Sequence, residues 1–205
     1  MYLTNSPFWL RWLYPTLTWH KNRKEKYVYL TFDDGPIPVV TPFVLNTLKN
    51  FNVHATFFCI GNNVSNHPEI YNEILSGGHT VGNHTFNHLK GWKTTDTEYM
   101  LNIEKCAGLV NSNLFRPPYG RIRTSQIRSL QALHPKMEII MWDVLSGDFD
   151  PGISADRCVQ NVFKNVKNGS IIVFHDSEKA FPRLKHALPV VLEILQSQGY
   201  DFKTL

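Results

Sequence analysis

Cysteine is scarce: Cys59, Cys106 and Cys158 are the only three in 205 residues, widely spaced and without a Cys-x-x-Cys. That excludes a disulfide framework and a zinc knuckle, and leaves each as a small apolar core residue. Long apolar runs are missing too. The N-terminal stretch Pro7-Phe8-Trp9-Leu10-Arg11-Trp12-Leu13-Tyr14-Pro15 is rich in aromatics but broken by Arg11 and Pro15. It is too short and too interrupted to span a membrane. It also lacks the basic n-region and small-residue cleavage site of a signal peptide. A cytoplasmic location is the expectation, with association with the cell envelope as the alternative. Charge of one sign does not accumulate: the net charge is +4, and Glu25 interrupts the densest basic stretch, Lys21 to Lys26. No nucleic-acid motif is present, so a nucleic-acid partner is not expected. Repeats, low-complexity segments, linkers and a Gly-x-Ser-x-Gly elbow are absent as well, and with the last goes a serine nucleophile of that kind.

What remains is an ordinary globular composition, 42% hydrophobic and 19% charged, long enough for one domain with a full core. Strand and helix patterns alternate. Lys26-Tyr27-Val28-Tyr29-Leu30 begins a strand that ends in Thr31-Phe32-Asp33-Asp34-Gly35-Pro36. Thr41-Pro42 reads as a cap and first position of a helix to about Asn50. Strands are predicted at Val53 to Ile60, His79 to Asn83, Leu114 to Arg116, Met137 to Val144 and Ile171 to Phe174, with a short one over Tyr200 to Leu205. Helices are predicted from Pro68, after a Thr95–Glu98 capping box, from a Thr124 cap to Leu133, after a Ser154 cap, and from Leu184 to Gln198. Ala155, Cys158, Val159, Val162, Phe163 and Val166 place one apolar face on the helix after Ser154. Seven or eight such units predict an α/β barrel, with a doubly wound open sheet as the alternative.

The polar motifs fall where strands end, which is the active-site face of a parallel barrel. Asp33 and Asp34 close the first strand, and Gly35-Pro36 turns the chain so that two carboxylates can meet one cavity. One metal ligand and one general base is the functional reading; a solvated Asp-Gly turn is the plain one. His84 and His88 stand at i and i+4, on one side of a helical turn, suited to hold one metal. Asp34 would complete a two-histidine, one-carboxylate set for Zn²⁺, or for Fe²⁺, Co²⁺, Mn²⁺ or Ni²⁺. In Arg116-Pro117-Pro118-Tyr119-Gly120 the two prolines remove two donors. The next amide is that of Tyr119, and Arg116 can pair with a carboxylate. His175 beside Asp176 is a candidate general acid.

With these residues in place the chain resembles the polysaccharide deacetylases, the NodB-homology family of carbohydrate esterases (family four), from about Lys26 to Leu205. Thr31 to Pro36, His84 to His88 and Arg116 to Gly120 match its first three motifs in order. The resemblance implies a distorted (β/α) barrel of about seven or eight parallel strands over residues 26–205; the aromatic residues of 1–25 are themselves read as a segment packed on it, with an interfacial membrane anchor as the alternative. It also implies a metal-dependent hydrolase that removes N-acetyl groups from an amino-sugar glycan, peptidoglycan or N-acetylglucosamine oligomers. Asp34, His84 and His88 would hold a divalent metal, most often zinc. Asp33 would be the general base, Arg116 its partner, the Tyr119 amide an oxyanion donor and His175 the general acid. Two regions depart from the family. Its fourth motif, Asp-x-x-Asp-Trp, reads Leu145-Ser146-Gly147-Asp148-Phe149, with Leu145 where the carboxylate that tunes the histidine is expected. Asp143 heads the carboxylates left for that role, with Asp148 and Asp150. Leu-x-His reads Val173-Phe174-His175. Two alternatives follow: hydrolysis of a small non-sugar amide, or a non-catalytic carbohydrate-binding module that keeps the metal.

Overall fold

The computed structural model describes residues 3–205. Among them, β1 (Tyr27–Asp33), β2 (Thr56–Cys59), β3 (Thr80–Asn83), β4 (Leu114–Phe115), β5 (Glu138–Ile139), β6 (Val144–Leu145), β7 (Ser170–His175) and β8 (Asp201–Lys203) form one parallel sheet. Its path runs β5-β4-β3-β2-β1-β7-β6, and β8 pairs with the lower part of β1 at Tyr27–Tyr29. The two ends of that path, β5 and β6, are joined only by residues 140–143. A flat sheet of seven strands would hold its edges roughly 29 Å apart, and so short a link reaches at most about 18 Å. The sheet therefore curls into an incompletely closed barrel rather than a doubly wound open sheet.

The helices are α1 (Phe8–Leu13), α2 (Val40–Asn50), α3 (Gly61–Asn66), α4 (Pro68–Ser76), α5 (Asp96–Ala107), α6 (Thr124–Leu133), α7 (Ala155–Asn165) and α8 (Phe181–Ser197). Two of the predicted caps form: Thr95 Oγ1 accepts from Glu98 N, and Ser154 Oγ from Arg157 N. The other two do not. Val39, at φ 69°, precedes α2, and Arg123 precedes α6, with the Gln126 side chain accepting from its amide. Thr41 lies inside α2, and its hydroxyl is used elsewhere, as described below. The helices α1 and α3 have no counterpart among the sequence expectations.

Strand alternation sets the site. Val28, Leu30 and Phe32 enter the core between sheet and helices, where the Phe32 ring stacks on Phe57 at 5.1 Å and Phe174 at 6.2 Å. The alternate residues Thr31 and Asp33 face the barrel interior and meet the guanidinium of Arg116. Expected strand lengths shrink where side chains take over backbone groups. Val53 N bonds to the end of α2 and Ala55 N to His79 Nδ1, so β2 starts only at Thr56. The single strand expected over Met137 to Val144 is split. The carbonyls of Ile140 and Met141 accept from Arg116 instead of a neighbouring strand.

The N-terminal segment closes the gap in the barrel. Thr18 bridges Ile140 and Asn5 bridges Val144, while Leu17 and Trp19 are buried among Tyr99, Phe115, Leu130, Met137, Ile139 and Met141. This strap covers the two free sheet edges, which otherwise present unpaired backbone groups. The first two residues of the segment assigned to 1–25 lie outside the described residues. No described helix is long and apolar enough to cross a membrane.

Candidate active site

The C-terminal ends of β1, β3 and β7, with the segment after β4, enclose a cavity of about 520 Å³. Asp33, Asp34, His84, His88, Tyr119 and His175 all line it. Asp33 and Asp34 leave an extended strand in opposite directions, but Asp34 has φ 89°, and that turn opens both carboxylates to the same space. Asp34, His88 and Tyr119 are three of the six described non-glycine residues with positive φ. Such strain persists only where the surroundings over-determine it, and it clusters at functional sites.

Asp34, His84 and His88 each offer one ligand atom, and these lie within 4.8 Å of one another. Asp34 Oδ1 is 3.7 Å from His84 Nε2 and 3.2 Å from His88 Nε2. His84 Nδ1 lies 2.8 Å from the carbonyl of Arg116, which can only accept. The proton therefore sits on Nδ1, and the Nε2 lone pair points at the cluster. Burial, only partly offset by Asp33 and Asp34, holds the His84 pKa down to about 4 and keeps the ring neutral, as a ligand must be. Burial acts to raise the pKa of Asp34. The His88 hydrogen bond and the charges of His175, His84 and His88 outweigh it and leave this carboxyl well below the usual range. Two imidazoles and one ionised carboxylate are a donor set that fits a divalent metal.

The two histidines do not share a helical turn, as their spacing suggested. His84 directly follows β3, and His88 ends an irregular loop with positive φ at Thr85 and at His88 itself. Asn83 Oδ1 accepts from Thr85 N, and Asn102 Oδ1 on α5 accepts from the amides of both Phe86 and Asn87. Sequence reasoning missed both asparagines. The signal available for Asn102 was a polar residue at a buried position of an amphipathic helix.

Asp33 is nearly fully buried, and its Oδ1 accepts from Arg116 at 2.6 Å. Arg116 is 0% exposed. Its other N–H groups go to Thr31 Oγ1 and to the Ile140 and Met141 carbonyls, and its Cζ lies 4.1 Å from the centroid of the Phe58 ring. This positions Asp33 rigidly and balances its charge. Tyr119, at φ 60°, projects its ring over His88 at 4.6 Å.

Across the cavity, His175 Nδ1 lies 2.8 Å from Asp148 Oδ1, and the His175 amide donates to Asp148 Oδ2 at 2.8 Å. Burial lowers the His175 pKa. The charge and hydrogen bond of Asp148, then Asp34 and Asp33, override it and lift the pKa to about 9. Asp148, not Asp143, is therefore the carboxylate on the histidine. Asp143 binds Arg23, Ser170 Oγ and the Ile171 amide. Those groups lie at the opposite end of β7 from His175, roughly 16 Å along the strand. Asp150 Oδ1 accepts from the Gly152 amide. Within the fourth motif it is thus the second acidic position that reaches the histidine, and Leu145 only walls the cavity beside Trp142, Phe149 and Val173. The change to Leu145 removes nothing from His175.

A buried support lies behind Gly35. Asp176 accepts from the Gly35 amide at 3.0 Å and from the Thr41 hydroxyl at 2.7 Å, and burial lifts its pKa to about 8. A Cβ on Gly35 would stand 1.9 Å from Asp176 Oδ2. Gly35→Ala is therefore expected to displace that carboxyl, break both hydrogen bonds and cost about 2–4 kcal/mol, read by urea unfolding. A loss below 0.5 kcal/mol would show that the loop relaxes without them.

A curled parallel barrel with a two-histidine, one-carboxylate cluster between a buried acid–arginine pair and a histidine–acid pair has the architecture of a barrel hydrolase. Comparison with known proteins narrows this. The polysaccharide deacetylase family model matches residues 20–137, more than half of the chain. A peptidoglycan-N-acetylglucosamine deacetylase of Bacillus cereus is 34% identical over 92% of this chain and 91% of its own. A chitooligosaccharide deacetylase of Azorhizobium caulinodans is 32% identical over 89% and 94%. The crystal structure of the Bc1960 peptidoglycan N-acetylglucosamine deacetylase superposes with a TM-score of 0.88 at 33% identity, covering 98% of this chain and 95% of that one. The chain belongs to the polysaccharide deacetylases, the NodB-homology family of carbohydrate esterases.

Proposed function

We propose that the protein is a metal-dependent N-deacetylase that cleaves the N-acetyl amide of an amino-sugar glycan, with peptidoglycan or N-acetylglucosamine oligomers as the substrate class. The observation that carries this is the pairing across one cavity of Asp33, held by buried Arg116, with His175, held by buried Asp148, on either side of the Asp34, His84 and His88 ligand atoms. A divalent metal bound by those three, zinc first and cobalt, manganese, nickel or iron as substitutes, would act as a Lewis acid and make water nucleophilic near neutral pH.

The chain's own groups do the rest. Asp33 accepts the proton of the attacking water, and Arg116 keeps that carboxylate oriented. The Tyr119 N–H, following two residues that have none, stabilises the oxygen of the former acetyl carbonyl. His175 donates its proton to the amide nitrogen as the C–N bond breaks, so acetate and a free amine leave. Trp142, Leu145, Val173 and Phe149 provide an apolar wall beside His175 for the acetyl methyl group. The non-catalytic alternative rested on Leu145, and the bond from Asp148 to His175 removes its premise.

The test is acetate release from N-acetylglucosamine oligomers by chelator-stripped protein, with and without added Zn²⁺, Co²⁺ or Mn²⁺. Release restored by metal is the expected result. No release with any metal, from protein that still binds the metal, would overturn the proposal and favour a small-amide substrate.

A further inference from the structure

The mouth of the cavity is cationic. Among the described residues, Lys90, Arg121 and Lys179 line it, and the acids that do so are Asp33 and Asp34 at the floor. Both floor carboxylates are committed, Asp33 to Arg116 and Asp34 to the two histidines. The three cations have no such commitment: none forms an ion pair among the described residues. Each rests instead on an aromatic ring. Lys90 Nζ is 5.0 Å from the Tyr119 centroid, the Arg121 guanidinium 4.3 Å from Trp92, and Lys179 Nζ 6.0 Å from Phe149. A cation on a ring face is held in place without being neutralised, and a half-exposed ring beside it can take the face of a sugar. Lys90 and Arg121 lie on one bank of the cavity, near the segment that carries Tyr119. Lys179 lies on the other, past β7.

A neutral N-acetylglucosamine oligomer gives these charges nothing to bind. A chain in which sugars next to the reacting acetamide carry carboxylates, such as the lactyl ether of a muramic-type residue, does. We propose that Lys90, Arg121 and Lys179 make this site selective for a carboxylate-bearing amino-sugar glycan over a neutral one. The inference rests on the deacetylase reading above and adds the sign of charge on the substrate. Each exposed cation–carboxylate contact changes affinity by a factor of about 2–5. Two or three of them acting together give a preference of roughly tenfold, screened as salt is raised.

The experiment compares kcat/KM for acetate release from two oligomers of equal length. One alternates N-acetylglucosamine with N-acetylmuramic acid and carries no peptide, and the other is all N-acetylglucosamine. Zinc-loaded wild type and the combined variant Lys90→Gln, Arg121→Gln, Lys179→Gln are each measured at low and high NaCl. The expected wild-type ratio is about 10 at low salt, falling towards 2 at 0.5 M NaCl, and the variant should show about 2 at either salt. The surface positions of the three changes leave the fold intact, which circular dichroism checks. A wild-type ratio near 1, or a variant that keeps the full ratio, overturns the proposal while leaving the deacetylase reading standing. Failure to release acetate from either oligomer overturns that reading and this inference with it.

Discussion

Asp33→Asn is expected to reduce acetate release by about 10²–10⁴-fold in kcat, the usual worth of a positioned general base. The substitution keeps the shape of the side chain and an oxygen for Arg116 at the position that now lies 2.6 Å away, but removes the group that can accept the proton of water. Asp34, His84 and His88 are untouched, so metal affinity should stay within about threefold of wild type. The fold also responds, because Arg116 is fully buried and loses its counter-charge. Removing one partner of such a pair outright costs about 3–5 kcal/mol, and the retained oxygen should keep the loss below that. Steady-state kinetics, metal titration and urea unfolding on the same preparation separate the three effects. Activity within tenfold of wild type would show that the proton goes elsewhere.

Asp148→Asn should act through His175. The wild-type pKa of about 9 arises because Asp148 overrides the effect of burial. Without that charge, burial dominates and the pKa falls by roughly 2 units. The general acid must be protonated, so the alkaline limb of the pH–rate profile should move down by a similar amount, with kcat at pH 8 reduced about tenfold. Stability should respond with the matching sign. A histidine whose folded pKa lies above its unfolded value of about 6.5 contributes fully below pH 6.5, and that contribution disappears as pH rises through about 9. Metal-free wild type should thus lose about 3 kcal/mol between those limits, and the variant much less. Asparagine also cannot serve both partners. Asp148 accepts from Nδ1 and from the backbone amide of His175 through its two oxygens, and an amide group offers one acceptor and one donor. An unchanged alkaline limb would show that Asp148 holds the ring without setting its charge.

The site was legible in sequence where its residues are local. Asp33 and Asp34 with Gly35-Pro36, His84 with His88, and Arg116 through Tyr119 are short motifs at strand ends, and the parallel barrel brings strand ends together. The partner of His175 was not legible, because three carboxylates within eight residues, Asp143, Asp148 and Asp150, are equivalent on paper. The curl of the segment after β6 decides among them, sending Asp143 to Arg23 at one end of β7 and Asp148 to the other. Asn83 and Asn102, which hold the loop carrying His88, were hidden for a related reason. Nothing in the local spacing of Asn102 on α5 says that a loop sixteen residues earlier will present two amides to it. The predicted helical turn through His84 and His88 failed because i, i+4 spacing describes a helix only if the backbone is one, and positive φ at Thr85 and His88 excludes that.

By itself the sequence determined most of the order of strands and helices, the local motifs that line the cavity and, through the resemblance of those motifs, the family. The elements rest on hydrophobic period, capping and turn chemistry within a few residues, and the family on short motifs that stand in order along the chain. Only the tertiary structure decided that the sheet closes as an open-seamed barrel with the N-terminal segment across the seam, that Arg116 is buried under Asp33, and that the cavity mouth is lined by three uncompensated cations. Each of these depends on residues dozens of positions apart meeting in space. Their energies come from burial and from charge pairing at distances that local sequence does not encode.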